Sequence, residues 1–223
     1  MEIKEKANEI RENEISGSYK DIKPQNNLKI NDVKKEINNK SEVKENYFSS
    51  YQNRIEHTPK EGSPLGRFEG QRGESKFIPS NETSIGSEAK KELKTAGVDG
   101  IEYKNGIPDF APVSKCTVKI DNMTGNRLDY FDSNGKRQKG NFTQAYEKMS
   151  VKFNEEKRDG KDDWTARDVK QYKTDNNLTI HEKNDTKTVQ LVPYNIHAAC
   201  SHLGGCGECN IRDGKTEGGK FDE

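Results

Sequence analysis

Apolar positions gather most clearly between Asn177 and Val192, where two short runs, Asn177 to His181 and Thr188 to Val192, flank a polar Asn184-Asp185-Thr186. Two such runs about a polar turn predict a β-hairpin. Pro193 closes the second run. Tyr194 to about Ser201 then suits a short helix, with the proline tolerated at its entrance and Gly204-Gly205 able to stop it.

Upstream, Ser63 to Ser80 carries glycines at 66, 70 and 73 with Phe68 and Phe77 between them, which predicts tight turns presenting short strands. Ser87 to Ala96 alternates charged residues and alanines as a helix does, and Gly97 caps it. Asn105-Gly106 reads as a hairpin turn between Ile101 to Tyr103 and Ile107. Cys116 to Ile120 alternates as a strand. In Asn141 to Phe153 the residues Phe142, Tyr146, Met149 and Phe153 share one side of a helix. Thr165 stands at the cap of a further helix reaching Thr174, with Val169 and Tyr172 toward the core.

Residues 1–60 show no comparable pattern. Short helical turns are conceivable around Lys4 to Ile15 and Asn31 to Ile37, but neither has a wide apolar stripe. A disordered or linker extension is expected there, a folded domain over residues 61–213, and a frayed tail over 214–223. Composition agrees with a modest core beside a solvated part: of 223 residues 28% are hydrophobic and 34% charged, with a mean hydropathy of −1.18. The formal net charge is zero, so attraction to a polyanion has to come from a local patch. Arg67, Arg72 and Lys76 could supply one, although a solvated surface is the commoner fate of such charges. No run approaches the ~20 apolar residues of a membrane span, and the charged N-terminus lacks the apolar centre of a signal peptide.

Candidate chemistry is concentrated in Leu178 to Asn210, which holds three of the four histidines and three of the four cysteines. His181 and Glu182 end the first strand of the hairpin; His197 and His202 lie on or just after the helix. Imidazole and carboxylate suit zinc or another divalent first-row ion. Such an ion would stabilise charge on a phosphodiester as it breaks, while an unligated histidine takes a proton from water. Residues five apart on a helix lie about 140° from one another, so His197 and His202 converge only if the helix ends before His202. Strand alternation likewise sends His181 and Glu182 to opposite faces unless the strand twists. A competing metal set is Cys200, His202, Cys206 and Cys209, whose final pair has the spacing of a zinc knuckle and would make the segment a non-catalytic, zinc-stabilised interaction module.

The segments GRFEGQRGESKF, GIEYKNGIPDF, LTIHEKND, VQLVPYNIH and HLGG together resemble the HNH/endonuclease VII superfamily of nuclease toxin domains, nearest to the DNase/tRNase domain of colicin-like bacteriocins and to modules of bacterial polymorphic toxins. The resemblance runs from about Gly62 to Asp213. It implies an α+β domain built around a ββα-metal finger, with the family's histidines matched by His181, His197 and His202. Ile180 stands where tryptophan is usual and Glu182 where many members have a second histidine. The preferred assignment makes His181 the general base and places His197 and His202 on a divalent metal, Zn²⁺ or Mg²⁺, while the glutamate at 182 leaves open whether His181 is base or ligand. Glu182 is a third ligand or an orienting group, and Glu208 and Asp109 are lesser orienting candidates. Asp109 also reads as a residue that simply holds a turn. DNA is the expected substrate, RNA the alternative. A cognate immunity protein and secretion or delivery into the cytoplasm of a target cell follow from the toxin likeness alone.

Overall fold

A computed structural model describes residues 47–215. The helical turns expected near Lys4 and Asn31, and the tail beyond Lys215, lie outside the described residues.

The chain forms a mixed α+β domain of small antiparallel sheets and short helices. It begins with α1 (Tyr51–Glu56), followed by β1 (Gly66–Phe68), β2 (Lys76–Pro79), α2 (Ser84–Thr95), β3 (Ile101–Lys104) and β4 (Ile107–Pro108), whose four strands make one sheet in the order β1-β2-β3-β4. The β3–β4 turn is the expected Asn105-Gly106, with φ of 55° and 75°, the left-handed pair a two-residue hairpin requires. After β5 (Cys116–Lys119) comes a small separate hairpin, β6 (Tyr130–Phe131) and β7 (Arg137–Gln138). Then follow α3 (Asn141–Glu155), α4 (Ala166–Asp175), β8 (Leu178–Glu182), β9 (Thr188–Pro193), α5 (Tyr194–Ala199) and α6 (Gly205–Arg212). Strand β9 is central in a second sheet of order β5-β9-β8.

Local chemistry explains most of these boundaries. Thr83 and Thr165 accept the first free N–H groups of α2 and α4, and Thr165 and Asp168 form a reciprocal capping box. In the β8–β9 turn, Asp185 accepts from the N–H groups of Lys187 and Thr188 and from the Thr188 hydroxyl, which closes the register at Glu182 opposite Val189.

Two apolar clusters lie on either side of β9. Val189 and Leu191 join Met149 and Phe153 of α3, Val169 of α4, Leu178 and Ile180 of β8, and Trp164. Val192 joins Ile196 and Ala199 of α5, Ala89 and Leu93 of α2, and Phe77, Ile101, Tyr103 and Phe110. All six residues of β9 are buried as a result, the pattern of a strand covered on both faces.

Residues 47–60 depart from the expected extension. Their α1 belongs to the domain: buried Arg54 donates to the carbonyls of Asn105 at 2.8 Å and Ser49 at 2.7 Å, and Arg72 donates to those of Ile55, Thr58 and Pro59. The stretch is polar, and these side-chain-to-backbone bonds, not an apolar stripe, hold it. Arg72 is thereby committed to structure, and Lys76 pairs with Asp99 at 3.0 Å.

Candidate metal centre

His181 reaches the site from β8, His197 from the last turn of α5, and His202 from the loop between α5 and α6. Helix α5 ends at Ala199, capped by Cys200, so the chain has left the helical path before His202, the condition convergence required. One ring nitrogen from each histidine lies within 4.8 Å of the others, a spacing one divalent cation can bridge with small side-chain shifts. Phe110 packs against all three rings, with centroid separations of 4.8, 5.5 and 5.6 Å to His181, His197 and His202. Its ring, 1% exposed, closes the inner side of the cluster to water.

The hydrogen bonds prepare lone pairs for a cation. His202 Nδ1 lies 2.7 Å from the Cys200 carbonyl, which can only accept, so the proton sits on Nδ1 and Nε2 keeps its lone pair. That Nε2 faces His181 Nδ1 at 3.2 Å. His181 Nε2 is buried with no hydrogen-bond partner. Burial, reinforced by the neighbouring imidazoles, holds His181 well below the ordinary histidine range. Burial first, and then nearby positive charge, pushes His197 down to about 3 and His202 to about 4. Three neutral imidazoles, one buried and two half-buried, with converging nitrogens therefore fit a borderline divalent cation, because ligands must be deprotonated to bind.

Glu182 does not join them. Its carboxylate accepts from Asn141 Nδ2 at 2.6 Å on one oxygen and from Arg127 Nε at 3.2 Å on the other. Burial raises its carboxyl, opposed by the Arg127 charge and the Asn141 bond. Both carboxylate oxygens are thus engaged, and Glu182 lies outside the three-histidine group that could hold an ion. Arg127 links the two groups: it pairs with Glu182 and its charge also disfavours protonation of His197 and His202.

The remaining candidates have other tasks. Asp109 accepts from the Ala111 N–H at 2.9 Å and holds a turn. Glu208, fully buried, accepts from Phe48 N–H, Ser49 N–H, the Ser49 hydroxyl and Asn184 Nδ2, so it anchors residues 48–49 and the hairpin turn instead of orienting an imidazole. The cysteine set is not assembled: Cys206 and Cys209 donate to the carbonyls of Gly125 and Met123, and the metal-capable group among the described residues contains no cysteine. Burial pushes the Cys200 thiol up to about 12 and those of Cys206 and Cys209 to about 11, the wrong direction for thiolate ligands. Sequence reasoning missed Arg127 and Asn141, which carry no motif, and the ring-packing role of Phe110, whose only signal was the PDF stretch.

Among known protein families, residues 100–204 fit the one described as the DNase/tRNase domain of colicin-like bacteriocin, within the Gly62-to-Asp213 range of the expected resemblance. That span includes Phe110, Arg127, Asn141, Glu182 and all three clustered histidines. No curated protein and no solved structure shows a significant match.

Proposed function

We propose that residues 100–204, matched to the DNase/tRNase family of colicin-like bacteriocins, make this chain a metal-dependent endonuclease that hydrolyses DNA phosphodiester bonds with little sequence specificity. Strands β8 and β9 with helix α5 serve as a ββα-metal finger of the HNH type. The observation that carries the reading is the convergence of His181, His197 and His202 inside the matched span.

In this reading all three imidazoles hold the cation. His181 therefore moves from proton acceptor to ligand, because its nitrogen stands as close to the group as the other two and its ring is the most deeply buried of the three. An all-nitrogen set favours Zn²⁺ or a neighbouring first-row ion over Mg²⁺, which prefers oxygen. When bound, the cation would supply positive charge to the scissile phosphate and the departing oxygen. The Cys200 carbonyl fixes the His202 tautomer, and Phe110 keeps water from the inner side. Arg127, bordering the cluster, adds a second positive charge for the phosphate. Glu182, steadied by Asn141 and Arg127, accepts the proton of the attacking water, since each carboxylate oxygen retains a lone pair beyond the bond it already accepts.

Plasmid cleavage with and without chelator, alongside elemental analysis, tests this. His181→Ala, His197→Ala and His202→Ala should each lose bound metal and cleavage together. Glu182→Gln should keep the metal and lose roughly 10²–10⁴-fold in rate. Full metal content in a His181→Ala protein that no longer cleaves would return the proton to His181. Undiminished cleavage in all four variants would refute the site.

An RNase reading on the same residues is favoured by the family description itself, which names both DNase and tRNase. Cleavage rates on duplex DNA and on tRNA decide between them. The toxin role extends the family match to this chain: an antibacterial effector, secreted or delivered into a target cell and restrained by a cognate immunity protein. No helix among the described residues is long and apolar enough to cross a membrane.

A further inference from the structure

The segment from Arg127 to Lys139 is fastened to the metal centre at its base and exposed at its far end. Thr124 exchanges two hydrogen bonds with the Asn141 side chain, at 3.0 and 2.7 Å, and Asn141 also donates to Glu182. The N–H groups of Asn141 and Phe142 donate to the carbonyls of Asn126 and Arg127, so the outgoing and returning strands are bonded where the segment leaves the domain. Gly140 permits that closure, because a Cβ there would stand 2.3 to 2.5 Å from backbone atoms of Leu128 and Arg127. The far end is ordered by Asp132, which accepts from the N–H groups of Asn134 and Lys136 and from Gln138 Nε2.

This well-braced segment displays the two most exposed large apolar side chains among the described residues, Leu128 at 73% and Phe131 at 72%. Of its cations, Arg127 pairs with Glu182, Arg137 with Asp129 and Lys139 with Glu147, while Lys136 is in no ion pair among the described residues. Both acids are used internally, Asp129 by the Gly140 N–H and Arg137, Asp132 by its own turn. The segment's one cation outside these ion pairs, beside two exposed apolar side chains, suits a strand that offers phosphates and base faces in alternation. Its starting point, Arg127, is the residue that borders the imidazole cluster.

We infer that residues 127–139 form an arm that lies along the nucleic acid next to the scissile phosphate, with Leu128 and Phe131 against base faces and Lys136 against a flanking phosphate. The inference rests on the nuclease reading for its substrate. Apolar side chains set against bases add affinity with little regard to sequence, which matches low specificity. The arm would also make opened or unstacked strands better ligands than a closed duplex, because their base faces are already accessible.

The test uses the full chain in chelator, so that binding is measured without cleavage, against fluorescein-labelled single-stranded and duplex DNA of the same sequence. The single strand should bind more tightly. Leu128→Ala/Phe131→Ala should weaken single-strand binding roughly tenfold or more while leaving bound zinc and circular dichroism unchanged. Lys136→Ala should lower the salt dependence of binding by about one counterion. With metal restored, the apolar double variant should show a raised KM at nearly unchanged kcat. Unchanged binding and KM in that variant would overturn the arm while leaving the nuclease intact. Dimers of the parent chain that dissociate in the variant would reassign the surface to a second copy, and would equally overturn it. Arm-dependent binding by a chain that cleaves neither DNA nor RNA in any metal would instead sink the nuclease reading alone.

Discussion

Each clustered imidazole is kept neutral by the cost of burying its charge, and that cost predicts how the metal-free protein responds to acid. His197 and His202 titrate in the fold at about 3 and about 4, below an ordinary value of 6.5. Above about pH 6.5 neither the folded nor the unfolded chain holds those protons, so stability is indifferent to them. Below it the unfolded chain takes up protons that the fold refuses, and stability should fall steadily toward about pH 3. Denaturant midpoints of the chelated protein across that range check the slope; a flat profile would mean the rings are solvated. Phe110 is the second residue with a sharp consequence. Phe110→Ala should cost about 3–5 kcal/mol of stability from lost burial and cavity formation and weaken metal binding, since the rings lose the surface that fixes them. A midpoint shift below about 1 kcal/mol would show that the ring supports little.

Among elements, the hairpin β8–β9 and helix α5 were legible because their signals are physical and local. Two apolar runs about Asn184-Asp185-Thr186 specify the turn, Pro193 ends the strand, and the requirement that the helix stop before His202 was met at Ala199. The partners of Glu182 were not readable from the sequence. Arg127 lies in a stretch whose only strands are two residues long, too short to show a period, and Asn141 looked like an ordinary first residue of a helix. Helix α6 was hidden for a different reason. Gly204-Gly205 reads as a stop, and Gly, Cys and Asn are poor helix formers; tertiary burial of Cys206, Gly207, Glu208 and Cys209 supplies what propensity lacks.

At the scale of the molecule, the fold begins earlier than the polar texture of the chain suggested. Glu208 is fully buried, and three of its hydrogen bonds come from Phe48 and Ser49. A chain starting at residue 61 would leave that carboxylate buried and short of donors, a loss of several kcal/mol by the usual cost of an unsatisfied charged group. Thermal unfolding should therefore come markedly lower for a chain starting at residue 61 than for one starting at residue 47; equal midpoints would show that residues 47–60 are dispensable. The zero net charge has a molecular meaning as well. Long-range steering is weak, and association with a polyanion has to depend on the few cations around the site.

Strand β9 touches both apolar clusters, and this bears on whether the histidine unit is portable. Grafted or expressed alone, residues 178–212 would bare Val189 and Leu191 on one flank and Val192 on the other, with no third strand at the open edge. Such a miniature would stick to its own copies before it ever gripped an ion. The motif is small on paper, yet its smallest working form is nearly the whole domain.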